Sequence, residues 1–275
     1  MERKDIRLLI CKDINEIAVA SARIFAEEIR RNPAIILGLA TGSTPVGMYN
    51  ELIRLHKEDG LDFSGVISFN LDEYLGLAPD HRQSYRYFMD NNLFNHINID
   101  KSNTHILDGL SRHPERVCRE FEEDINKAGG IDLQLLGIGG NGHIAFNEPG
   151  CGLDSRTGIV NLTEKTIKDN GRFFENASDV PRQALTMGIA TILEAKKIVL
   201  LAVGEAKAVA VAEAVKGSVS SKVPASYLQY HSDCTFIIDE EAAQKLCGRN
   251  VIQTLSQCSC LIYQAQKGDL YVLSL

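Results

Sequence analysis

No run of apolar residues in this chain is long enough to cross a bilayer, which argues against a helical membrane span. The first residues, MERKDIRLLICKD, carry charges throughout and lack the apolar core of a signal peptide. Basic charge is also scarce: 29 Lys and Arg stand against 36 Asp and Glu, a net charge of −7. Nucleic acid selects clustered Lys and Arg and is therefore not an expected partner. A small anionic ligand is still allowed, since a few local cations suffice to hold it. The 7 cysteines are an odd number, spread along the chain apart from Cys258 and Cys260, and no Cys/His group has zinc-binding spacing. Neither a disulfide framework nor a metal site is expected, and the thiols fit a reducing cytosol. There is no internal repeat, low-complexity tract or Pro/Ser-rich linker, so one domain over residues 1–275 is expected. Hydrophobic residues make up 44% and charged residues 24%, the composition of a globular protein that can bury a core without staples.

What is present is a series of short apolar runs alternating with helical patterns. That alternation predicts an α/β fold, a mainly parallel sheet with helices on both faces. Strands are expected at Ile6–Cys11, Ala34–Leu39, Val66–Leu71, Ile131–Ile138, Lys197–Val203 and Thr235–Ile238. IVLLAV at 198–203 is continuously apolar and LQLLGI at 133–138 is so apart from Gln134, which fits strands buried on both faces. Asp13 should cap a helix whose apolar positions (Ile14, Ile17, Ala18, Ile24, Phe25, Ile29) repeat with a period of 3.6, and Pro33 should stop it. Thr44-Pro45 should start the next helix with proline in its first position. The tail after Asn250, VIQTLSQCSCLIYQAQKGDLYVLSL, is nearly uncharged and has no clear period; no role is assigned to it.

In open α/β sheets, ligands sit outside the carboxyl ends of the strands, and four loops there carry candidate chemistry. ATGSTP (Ala40–Pro45) offers Gly42 for close backbone approach, the hydroxyls of Thr41, Ser43 and Thr44, and a helix N-terminus. Together these suit a phosphate, although an ordinary capped turn has the same composition. The loop lacks the Gly-Lys-Ser/Thr of a nucleotide P-loop. FNLDEYLG (Phe69–Gly76) sets Asp72 and Glu73 directly after a buried strand. A carboxylate there is either a general base facing a cleft or part of a solvated acidic turn. LLGIGGNGHIAFNEPG (Leu135–Gly150) surrounds Asn141 and His143 with glycines, and Glu148 follows. Its glycines miss the dinucleotide spacing, while imidazole beside an amide and a carboxylate suits proton transfer near neutrality. AVGEAKA (Ala202–Ala208) places Lys207 in a first helical turn, a position where a bound anion would offset the unfavourable cation.

These four loops, in this order, resemble those of the glucosamine-6-phosphate deaminase (glucosamine-6-phosphate isomerase) family. The likeness includes LDEYLGL, DHRQSYRYFM at 80–89 and GHIAFNEPG, and extends over roughly residues 1–245. It implies a modified doubly wound α/β sheet. It also implies conversion of glucosamine 6-phosphate and water to fructose 6-phosphate and ammonia in aminosugar catabolism, in the cytoplasm, with no metal or organic cofactor. By the same resemblance, Asp72 is the base that moves a proton between sugar carbons 2 and 1. His143 opens the pyranose ring, helped by Glu148 and Asn141. Thr41, Gly42, Ser43, Thr44, Arg172 and Lys207 form the phosphate cradle. Residues 158–187, with Arg172 among them, resemble the family's mobile lid.

Two departures stand out. Some family members have Asp where this chain has Asn141. Some also carry basic residues that bind an N-acetylated sugar phosphate at a regulatory site, where this chain has Cys151, Gly158 and Val160. Two other readings remain open at this point: a 6-phosphogluconolactonase-like hydrolase of related fold, and a non-catalytic sugar-phosphate sensor. No membrane or nucleic-acid partner is expected, and a homo-oligomer is neither required nor excluded.

Overall fold

The computed structural model describes residues 2–171, 174, 176, 179–246, 261–266 and 269–273. The chain enters through β1 (Arg7–Cys11), α1 (Ile14–Arg31), β2 (Ile36–Leu39), α2 (Val46–Asp59) and β3 (Ile67–Asn70). It continues through β4 (Asp72–Tyr74), α3 (Tyr85–Asn92), β5 (Thr104–His105), α4 (Pro114–Ala128), β6 (Leu133–Gly137), β7 (Gly158–Asn161) and α5 (Glu164–Gly171). The remaining elements are β8 (Gln183–Thr186), α6 (Ile189–Leu193), β9 (Lys197–Ala202), α7 (Ala208–Lys216), β10 (Cys234–Asp239), α8 (Glu240–Ala243), β11 (Leu261–Gln266) and β12 (Asp269–Leu273).

Local chemistry accounts for the boundaries. The Asp13 carboxylate accepts from the backbone N–H groups of Asn15 (2.8 Å) and Glu16 (3.1 Å), so α1 starts where two of its donors would otherwise lack partners. α1 buries Ile17, Phe25 and Ile29 and ends at Asn32, before Pro33. Pro45 precedes α2 as its capping residue, one position earlier than expected, because its ψ of −7° is only half helical. Five of the six expected strands are shorter than their apolar runs predict, since buried residues such as Val66 lie just outside the hydrogen-bonded ladder, while β10 is longer, running over Cys234–Asp239.

Seven strands pair in parallel in the order β1-β10-β9-β6-β2-β3-β5. This is the mainly parallel sheet that the alternating pattern predicts. From β2 the chain steps outward through β3 to β5. From β6 it steps the other way, through β9 and β10, back to β1. The direction of winding reverses between β2 and β6, and such a switch point leaves a crevice at the carboxyl edge of the sheet.

Three features were not legible in the sequence. A second, antiparallel sheet joins β4, β8 and β7, with Asp72 opposite Thr186 and Thr186 opposite Gly158. Asp72 therefore sits in a strand, and Gly158–Asn161 and Gln183–Thr186, at the two ends of the expected lid, are sheet. β5 is only two residues long, too short to leave a periodic signal. The unassigned tail supplies β11 and β12, an antiparallel hairpin paired on β1, so strand β11 runs against the parallel sheet. Among the described residues, no helix is long and apolar enough to cross a membrane.

Candidate active site

Strands β9, β6, β2 and β3 are parallel neighbours, so the four loops singled out above leave the sheet along one edge. Within the third of these loops the side chains meet through a set of short contacts. Asn141 Oδ1 lies 2.7 Å from His143 Nδ1, and Asn141 Nδ2 donates to Glu148 Oε2 at 2.7 Å. A carboxylate only accepts here, which fixes the orientation of the amide. The amide oxygen also only accepts, so Nδ1 carries the imidazole proton and Nε2 of the neutral ring is an acceptor. Asn141 Oδ1 accepts the His143 backbone N–H as well, at 3.2 Å. One residue thus closes the turn and orients the ring.

Gly139 of this loop is required by shape. A Cβ on Gly139 would stand 2.2 Å from the imidazole Cε1, so the ring lies directly over that residue. Ala145, between His143 and Glu148, has φ 50°, a left-handed conformation that costs a non-glycine residue free energy. Its neighbours hold it there. Phe146 N–H donates to Thr186 Oγ1 at 3.0 Å, and Asn147 Nδ2 donates to the carbonyls of Ile144 (3.0 Å) and Met187 (2.8 Å). Thr186 and Met187 belong to the segment that also pairs with Asp72 and Leu71, with Met187 N–H donating to Leu71 O at 2.7 Å. The histidine loop and the Asp72 strand are therefore stitched to the same third segment.

Asp72 and Glu73 are both buried, at 7% and 2% exposure, which overturns the alternative of a solvated acidic turn. They do different things. Glu73 accepts from the backbone N–H groups of Tyr74 (2.8 Å), Tyr85 (2.9 Å) and Arg86 (3.0 Å), and so anchors the start of α3. Among the described residues no hydrogen bond reaches the Asp72 carboxyl. Burial, with the Glu73 charge adding to it, pushes Asp72 up to about 8. Glu148 moves the other way. Burial alone would raise it, but the nearby His143 imidazole, with hydrogen bonds from Thr166 and Asn141, brings it down to about 2.

The 40–45 loop turns at Gly42, with φ 100°, ahead of α2. Among the described residues, the hydroxyls of Thr41, Ser43 and Thr44 make no hydrogen bond with other protein groups. They precede in the chain the backbone N–H groups that open α2, a combination of donors suited to an anion. Lys207 lies in a 3-10 turn over Glu205–Lys207, just before α7. The turn begins at Gly204, with φ 87°, whose N–H is held by both oxygens of Asp239 at 3.0 and 2.9 Å. This turn touches the histidine loop, since a Cβ on Gly140 would lie 3.8 Å from Ala206 O. Arg172 lies outside the described residues.

Sequence reasoning missed several groups that shape the site. Thr166 of α5 donates a short hydrogen bond to Glu148 Oε1, and Thr163 lies 3.3 Å from the same oxygen. Asp239 and Thr186 act through backbone contacts, and an isolated Asp or Thr in a strand carries no signal for that. A cleft of about 450 Å³ lies elsewhere, along α4, between Glu122, Asn126, Arg156 and Glu194. It contains none of the loops above, and one of its two cations, Arg156, is already paired with Glu194.

A profile of the family described as glucosamine-6-phosphate isomerases/6-phosphogluconolactonase matches residues 13–237. The chain belongs to this family. A glucosamine-6-phosphate deaminase from Thermoanaerobacter sp. (strain X514) is 55% identical over 238 residues, 86% of this chain and 94% of that protein. One from Clostridium perfringens (strain 13 / Type A) is 54% identical over 241 residues, 88% of this chain and 100% of that protein. A solved structure of a monomeric glucosamine-6-phosphate deaminase superposes with a TM-score of 0.85 at 45% identity, covering 86% of this chain and 99% of that one. The 6-phosphogluconolactonase from Trypanosoma cruzi, at 20% identity and a TM-score of 0.71, shares the fold.

Proposed function

We propose that this chain is a glucosamine-6-phosphate deaminase, converting glucosamine 6-phosphate and water to fructose 6-phosphate and ammonia in aminosugar catabolism. The likeness to deaminases at 54–55% identity supports the substrate class. The observation that carries the chemistry is the pairing of two environments on one sheet edge: a buried Asp72 whose carboxyl is pushed up to about 8, and a His143 ring whose tautomer Asn141 fixes.

In this reading, the sugar phosphate sits in the 40–45 loop with Lys207 and Arg172 on its anion, which orients the far end of the sugar. His143 Nε2 takes the proton of the C1 hydroxyl and delivers it to the ring oxygen, so the C1–O5 bond breaks and the aldehyde forms. Asp72, ionised, removes the proton at C2 and returns it to C1 through an enolamine. The C2 imine then adds water and loses ammonia, leaving the ketone. Asn141 and Glu148 hold the imidazole and balance its charge while it carries the proton. Residues 158–187 act as a lid over this space.

The test is one assay with two readouts, ammonia and fructose 6-phosphate, from glucosamine 6-phosphate. Equal amounts of both are expected. Hydrolysis of 6-phosphogluconolactone without ammonia release from the aminosugar would replace this reading with the lactonase one, and binding without turnover would replace it with a sensor.

A further inference from the structure

Both oxygens of Glu148 are engaged, and they face in different directions. Oε2 accepts from Asn141 Nδ2 at 2.7 Å, within the histidine loop. Oε1 accepts from Thr166 Oγ1, on a helix that begins 16 residues later in the chain (164 − 148). Thr166 is 6% exposed, and the contact to the Glu148 carboxylate is a charge-assisted one. Thr163 supports it. Its oxygen accepts the Thr166 backbone N–H at 3.2 Å, capping α5, and its single proton is shared between Thr166 Oγ1 at 3.0 Å and Glu148 Oε1 at 3.3 Å. The far end of the same helix reaches the other half of the site, where Asn170 Nδ2 donates to Tyr74 Oη at 2.7 Å. Tyr74 lies two residues from Asp72, in the same strand. Between these ends, Ile167 packs on a small apolar cluster of Tyr74, Phe146, Leu162 and Ala184.

We propose that Thr166 is a positioning residue for ring opening: docking of α5 places its hydroxyl on Glu148 and so completes the Glu148–Asn141–His143 relay. The kinetic part of this inference rests on the deaminase reading above. The geometry gives the coupling a direction. A carboxylate held on one oxygen by α5 presents the other to Asn141, and Asn141 in turn holds the ring. With α5 displaced, Glu148 loses its hydroxyl donors, its Oε2 contact becomes one of several rotamers, and the amide that orients His143 is no longer pinned. Two sites that both bias one element are coupled reciprocally.

Thr166→Val separates this role from helix stability. It keeps the shape of the side chain and the backbone N–H that Thr163 caps, and removes only the hydroxyl. With glucosamine 6-phosphate, kcat should fall roughly tenfold while KM stays within about twofold, the pattern of a contact used in the transition state. Thr166→Ser should restore most of the rate. In a Glu148→Gln background, Thr166→Val should add less than about twofold, because the partner it acts through is gone. An equal loss in both backgrounds, or a parent-like rate for Thr166→Val, overturns the proposal. Amide hydrogen exchange over 164–171 tests it without substrate: Thr166→Val and Glu148→Gln should each speed exchange, and the double variant no further. Unchanged exchange in both single variants overturns the coupling even if the enzyme is a deaminase, and coupled exchange sustains it even if the assigned substrate is wrong.

Discussion

Asp72 and Glu73 are adjacent and both buried, yet only Glu73 has its carboxylate matched by donors. Leaving Asp72 unmatched costs stability and produces a base near neutrality. The sign is explicit. Below the ordinary value of 3.8, both folded and unfolded chains hold the proton and there is no penalty; as pH rises toward about 8 the unfolded chain ionises first, so stability falls across that window. Asp72→Asn should therefore melt higher than the parent at pH 8, by about 1 kcal/mol or more, with the gap closing toward pH 4. The same variant should lose about 10²-fold or more in kcat with little change in substrate binding. A variant that kept its rate would remove Asp72 from the chemistry, and one that melted at the parent temperature would remove the strain. Asn141 gives a second prediction. A carboxylate in its place would still hold Nδ1 but would favour the imidazolium. In Asn141→Asp, the acidic limb of kcat/KM against pH should move upward by about one unit. An unmoved limb would mean that residue 141 only closes the turn.

At the scale of elements, the phosphate-binding expectation rests on two loops that the sequence already marks by glycine. Gly42 and Gly204 both adopt positive φ, and each turns the chain into a helix or 3-10 start. What places Lys207 is less visible: Asp239, at the end of β10, holds the Gly204 N–H and caps α8 through Ala242 N–H at 2.8 Å. Lys207→Ala should raise KM for glucosamine 6-phosphate by tenfold or more, in line with a lost charge-assisted contact, and affect unphosphorylated glucosamine much less. Equal effects on the two sugars would exclude Lys207 from the phosphate. The elements that the sequence concealed are β4, β7 and β8. They have 3 or 4 residues each, too few for periodicity to be read, and they form only because residues far apart in the chain pair.

For the whole molecule, the reversal of strand order between β2 and β6 brings residues 40–45, 72, 139–148 and 204–207 to one edge. The chain is also longer than the Clostridium perfringens relative: the 241 residues that span the whole of that protein leave 34 of this chain's 275 unmatched. Part of the tail forms the β11–β12 hairpin on β1. Residues 158 and 160, matched by the earlier resemblance to a regulatory anion site, lie in β7 as Gly and Val. They offer no charge to a phosphate, so N-acetylglucosamine 6-phosphate should not activate the enzyme. A severalfold fall in KM for glucosamine 6-phosphate on adding that effector would contradict this.

The sequence by itself determined the parallel α/β sheet, the capped start of α1 and the four loops that leave the sheet along one edge. Each of these is written in local chemistry: continuous apolar runs, a capping carboxylate, glycines where side chains cannot fit. Burial of Asp72, the contacts that hold Ala145 in its left-handed turn, and the hydroxyl of Thr166 on Glu148 were decided only by the tertiary structure. In each case the partner comes from a distant segment, Thr186 opposite Asp72 or α5 against the histidine loop. No property of either segment alone records that the two will meet.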